Sequence, residues 1–146
     1  MIGADHGQID VNPETTYYLD KKIPECLKWF RCNNKGAPLV PGGSMRDMFL
    51  YLKPEYKSRA LEVLNNSIGH IADVCDTDHL IEQGYFGPPS SISTRLTDRL
   101  SDVVVIPFAG ESVWWSGGGK FEKDHLGSHG GLTPAEIQIP KLVLDL

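Results

Sequence analysis

Asp5-His6-Gly7 sets a carboxylate beside an imidazole, two groups that bind divalent metals or exchange protons. In an extended strand neighbouring side chains point to opposite faces, so Asp5 and His6 share a site only where the strand ends and the backbone turns. Gly7 permits that turn. A second segment, Gly127-Ser128-His129-Gly130-Gly131, surrounds an imidazole with glycine. Glycine on either side of His129 lets the backbone come close to whatever the ring binds, at an entropic cost that a plain connection has no reason to bear. Each segment also has a plain reading: a hydrogen-bonded Asp with a surface His, and a mobile glycine loop carrying a solvated His.

Other chemistry-bearing residues read as structural. His70 flanks a predicted strand and His79 lies in a helix start, both solvent-facing or structural. Trp114-Trp115 reads as packing rather than a base-stacking platform, because no basic stretch accompanies it. Ser112 does not sit in a GxSxG elbow, and Cys75 reads as a small buried apolar residue. Cys26, Cys32 and Cys75 are odd in number and widely spaced, which excludes a disulfide framework and predicts reduced thiols.

The elements expected to position these residues alternate in type. Met1 to Ala4 reads as a short buried strand running into Asp5. Ile23 to Phe30 reads as a short amphipathic helix, Asp47 to Leu52 as a strand, and Pro54 to Asn65 as a helix with Tyr56, Ala60, Val63 and Leu64 on one side. Ile71 to Cys75 reads as a strand, and Asp76 or Thr77 caps a helix that ends before Gly84. Ser93 to Leu100 is a short helix, and Val103 to Ile106 a central strand with Glu111 to Trp115 as its hairpin partner. Thr133-Pro134-Ala135-Glu136 is a capping box with Pro at the first helical position, and Leu142 to Leu144 forms a last strand. This alternation predicts an α/β fold, a mixed and mainly parallel sheet covered by helices, in a single domain spanning residues 1-146.

Net charge and composition narrow the partners. A net charge of -5 without a Lys/Arg cluster argues against nucleic acid, whose backbone needs concentrated positive charge. No apolar run reaches membrane-spanning length and no signal peptide opens the chain, so a cytoplasmic location is expected. A small anionic substrate would need metal or local cationic help.

Together the two glycine-bearing segments carry a family resemblance. IGADHG near a strand end, followed much later by GSHGGLTPAEIQIPKLVL, resembles the type I phosphodiesterase and nucleotide pyrophosphatase branch of the alkaline phosphatase superfamily. PLVPGGSMRDMFLYLKPE and SDVVVIPFAGESVWW resemble prokaryotic members known only as alkaline phosphatase-like, so the match spans essentially the whole chain. The resemblance implies the C-terminal part of that fold and two divalent metals clamping a phosphoryl group. Asp5 and His6 would then hold the nucleophile-side metal and His129 the second, with zinc the metal and manganese a substitute.

The chain also departs from the family's pattern. The family's strand-end Asp, its Ser/Thr nucleophile at a helix start and its Asp-x-x-x-His pair do not precede Asp5. No Asp-x-x-x-His spacing follows, and Asp124-His125 is only a secondary ligand candidate. The expectation is therefore a phosphomonoester or phosphodiester hydrolase portion, inactive alone and completed by an N-terminal half. The alternative is a non-catalytic binding or structural domain that forms a homo-oligomer to cover exposed sheet edges.

Overall fold

The computed structural model describes residues 1–144. At its centre is a four-stranded sheet in the order Gly42–Ser44, Asp47–Leu50, Val103–Pro107, Ala72–Asp76, with every neighbouring pair antiparallel. Val103, Val104 and Val105 are buried, as a strand flanked on both sides requires. The Lys57–Ile68 helix packs Ala60, Leu64 and Ile68, spaced four residues apart, into the core with Met48, Leu50, Val103 and Val105. Each of the larger ones, Leu64 and Ile68 among them, contributes roughly 1.5–3 kcal/mol by leaving water.

Strands and helices combine in an α/β arrangement as expected, but the central sheet is neither mixed nor mainly parallel. Asp47–Leu50, the Lys57–Ile68 helix and Ala72–Asp76 do form a strand-helix-strand unit whose two strands run the same way. Val103–Pro107 inserts between them and pairs antiparallel with both. Local hydrophobic pattern encodes the crossover but not which later strand fills the gap. Among the described residues the parallel ladder is Tyr17–Tyr18 against Val113–Trp114. Those last residues were expected to return as a hairpin beside Val103–Pro107; instead the Val113 amide binds Met45 O and the strand crosses to Tyr17. Trp114 and Trp115 are buried, and Trp115 meets Phe30 edge-on with centroids 5.1 Å apart.

Several helices are shorter than their sequence pattern suggests. Ile23 to Phe30 contracts to the 3-10 turn Pro24–Lys28, and Ser93 to Leu100 to the single turn Thr94–Thr97 capped by Ser93. The Thr77–Glu82 helix is capped by the Asp76 side chain, and Cys75 beside it is half-buried rather than enclosed. Segments near the chain ends form two further two-stranded antiparallel ladders, a terminal ribbon of Ile2–Gly3 against Lys141–Leu142 and, separately, Ile9–Asp10 against Gly127–Ser128. This first strand is exposed, not buried.

Candidate metal centre

The site is built on the hairpin joining Gly42–Ser44 to Asp47–Leu50. Arg46, at its tip, is wholly buried and forms a two-pronged ion pair with Glu136, with Nε to Oε1 and Nη2 to Oε2 both 2.9 Å. Its remaining amino group donates to Phe108 O and Glu111 O. Glu136 closes the expected capping box with Thr133 and also accepts from the Gly131 amide. Burial alone would raise the Glu136 carboxyl, but hydrogen bonds from Arg46, Thr133 and Gly131 outweigh it and hold the pKa down at about 2. One ion pair thus joins the hairpin, the 108–111 turn and the Pro134–Ile137 helix.

That bond presses the glycine loop onto the hairpin. The Ser44 hydroxyl reaches both the Asp47 carboxylate and, at 2.9 Å, the His129 carbonyl, and donates to one of them. Gly130 has φ +113, and a Cβ there would come 2.6 Å from Asp47 Oδ1. A Cβ on Gly131 would lie 2.6 Å from Glu136 Oε2. The loop therefore needs glycine for close approach, as expected, although what it approaches is the hairpin.

Gly7 obeys the same logic at the other segment. Its amide donates to Glu136 O at 2.8 Å, and a Cβ would meet Ala135 O at 1.9 Å. The Asp5-His6-Gly7 corner is thereby set against the short helix that follows the glycine loop. As a result the His6 and His129 rings stack, with centroids 3.7 Å apart and planes inclined by 15°.

Within this corner, His6 Nδ1 lies 2.8 Å from Gly7 O, so the tautomer that donates there leaves Nε2 with a free lone pair. Nε2 is 3.7 Å from Asp5 Oδ2. Two donors on one tetrahedral zinc stand about 3.4 Å apart, so this pair has the span of two ligands of a single ion. The Asp5 carboxyl is held below its ordinary range, chiefly by its own backbone N–H. Stacked rings aim their in-plane lone pairs along parallel planes, which suits one ion per ring rather than one ion shared.

No family model matches the chain, and no curated protein or solved structure matches it. What the centre can bind is therefore judged on its own donors. Among the described residues no group of three or more His, Cys, Asp or Glu side chains is arranged to hold a metal ion. The Asp5–His6 pair offers two donors, fewer than the three or four that a zinc shell needs, and the His129 ring stacks beside it.

The remaining candidates lie apart from this constellation in character. His125 pairs with its neighbour Asp124 at 3.5 Å, with both side chains largely exposed, and His70 and His79 are exposed. Ser112 is buried and bonds to Thr16. The sequence reading missed Ser44, Arg46 and Asp47. Asp47 is the most telling: burial pushes its carboxyl up, while Ser44 and the nearby His129 pull it back only in part. Its one sequence signal was position beside a Gly-Gly-Ser turn, which does not reveal that a loop from the far end of the chain lands on it.

Proposed function

We propose that this chain is the C-terminal, metal-ligand-bearing part of a phosphomonoester or phosphodiester hydrolase resembling the nucleotide pyrophosphatase branch of the alkaline phosphatase superfamily. The observation that carries the reading is the stacking of His6 on His129 at 3.7 Å, which gathers both resemblance-bearing motifs at one place. Asp5 and His6 would hold one divalent ion and His129 another, zinc or manganese. Such ions polarise a phosphoryl oxygen and lower the pKa of an attacking hydroxyl. This chain's own residues do the positioning. Gly7 O fixes the His6 ring, and Ser44 and the Arg46–Glu136 pair hold the backbone that carries His129. The nucleophile and the remaining ligands would come from an N-terminal half that docks here, leaving the isolated chain inactive.

Calorimetric zinc titration tests the assignment. Asp5→Ala, His6→Ala and His129→Ala should each weaken binding at least about tenfold, and His125→Ala should not. Unchanged affinity in the first three would sink the metal reading. Adding an upstream polypeptide that supplies the nucleophile should restore zinc-dependent nitrophenyl-phosphate cleavage.

A second reading, a non-catalytic domain that self-associates, is favoured by the ribbon of chain ends. Ile2, Ile139, Leu142 and Val143 are all about half exposed or more. A two-stranded ribbon with apolar side chains in water is marginal unless something covers it.

A further inference from the structure

On the sheet face turned away from the Lys57–Ile68 helix, one row of side chains crosses three strands. Asp73 pairs directly with Ile106, and Met48 with Val105, so one step along Asp47 stands opposite Ile106 from the other side. Residues directly opposite in an antiparallel ladder share a face, and their neighbours Ala72, Met48 and Val105 point the other way, into the core. The row therefore reads Asp47, Ile106, Asp73, and its two acidic residues are two strand spacings apart at the backbone, about 9.5 Å. Two depressions open on this row. Asp47 lines one of about 110 Å³ with Phe49, Tyr85 and Phe86, and Asp73 lines one of about 190 Å³ with Phe108. Ile106 and Leu132 line both, so the depressions adjoin as one groove with an apolar middle and a carboxylate in each lobe.

We infer that this groove binds a linear aliphatic diamine, with one ammonium group at Asp47, the other at Asp73, and the alkyl chain across Ile106 and Leu132. The protein itself leaves both charges open. Among the described residues Asp73 is exposed and has no hydrogen-bond or ion-pair partner, and Asp47 is bonded to Ser44 through Oδ1 alone. Among those residues no Lys, Arg or His lines either lobe, and Arg46 beside Asp47 is taken up by Glu136, Phe108 O and Glu111 O. Burial pushes the Asp47 carboxyl up, a penalty that a bound cation would offset. Aromatic rings in both lobes favour an ammonium group further. A single metal ion fits poorly, because its oxygen ligands must all lie within about 2.6 Å of it while Ile106 stands between these two. The length of a diamine does fit. An extended alkyl chain advances about 1.25 Å per bond, which sets the nitrogens of 1,5-diaminopentane roughly 7.5 Å apart, and a charged hydrogen bond of about 2.8 Å at each end reaches both carboxylates. None of these contacts uses His6 or His129, so the groove binds its ligand whether or not the chain is part of a hydrolase.

Amide NMR titration of the full chain tests this with 1,5-diaminopentane and 1-aminopentane as probes. The diamine should shift the amides of Phe49, Asp73, Ile106 and Leu132 and bind about tenfold tighter than the monoamine, the effect of one added charged hydrogen bond. Asp73→Asn should bring the diamine down to the affinity of the monoamine. Asp73 makes no side-chain bond in the fold, so this variant reads binding and not folding. Asp47→Asn, which keeps an oxygen for Ser44, should do the same from the other end. Asp124→Asn, at a carboxylate that lines neither lobe, should leave the affinity unchanged. Equal affinity for the two amines, or shifts that miss the groove, overturns the proposal. So does an Asp124→Asn loss as large as that of Asp73→Asn, which would reduce the binding to general attraction toward an acidic surface.

Discussion

Arg46 and Glu136 show how much of the candidate centre depends on two residues that touch no ligand. A buried ion pair is weak support for net stability, yet removing one partner strands a charge away from water. Arg46→Met should therefore cost about 3–5 kcal/mol in urea denaturation and free the glycine loop, whereas Arg46→Met combined with Glu136→Leu should recover much of the loss. The pair also sets an acid limit. Glu136 has a folded pKa of about 2 against an ordinary 4.5, so its contribution is complete above about pH 4.5 and lost as pH falls toward 2, about 3 kcal/mol in all. Stability measured across that window should decline in the wild type and much less in Glu136→Gln. Asp47 acts with the opposite sign, because its raised pKa weakens the fold as the carboxyl ionises.

Among the elements, the short helix Pro134–Ile137 and the glycine loop before it carry information in both directions. The capping box that starts the helix was readable from Thr133 to Glu136, since those bonds are local. Glu136's second task, meeting Arg46, was not, because the two are brought together only by folding. Gly7 makes the same point: it was expected to permit a turn, and what demands glycine there is its close approach to Ala135 O. Gly7→Ala should cost about 1–3 kcal/mol, push Asp5 and His6 off the helix, and weaken zinc binding in calorimetry. Gly36→Ala is the matched control. Its Cβ meets nothing within 4 Å, and its φ of +77 should cost about 1–2 kcal/mol in stability without altering zinc affinity.

At the scale of the whole molecule, the terminal ribbon is the feature least explained by the described residues. Ile2 is 61% exposed and Leu142, its ladder partner, 51%. Apolar residues facing each other across a ribbon in water form an unfavourable surface that self-association would cover. Light scattering at micromolar concentration should find the isolated chain above monomer mass. Ile2→Lys with Leu142→Lys should return it to monomer, and a wild-type monomer would refute the idea that the ribbon drives self-association.

Sequence alone determined what depends on neighbours along the chain: the apolar spacing of Ala60 and Leu64, the Thr133 capping box, the valine run buried from both sides, and the placing of Asp5 beside His6. It also singled out His129 through its flanking glycines. Tertiary structure decided what depends on partners far apart in the chain. Val103–Pro107 entered between two strands that local pattern would have placed side by side, turning an expected parallel sheet antiparallel. Arg46, Ser44 and Asp47 gained their roles only once the loop from 127 to 131 settled on their hairpin. The physical reason is the same throughout: hydrogen bonds and helix faces within a few residues are encoded locally, whereas strand order and buried charge pairs are chosen by which surfaces exclude water together.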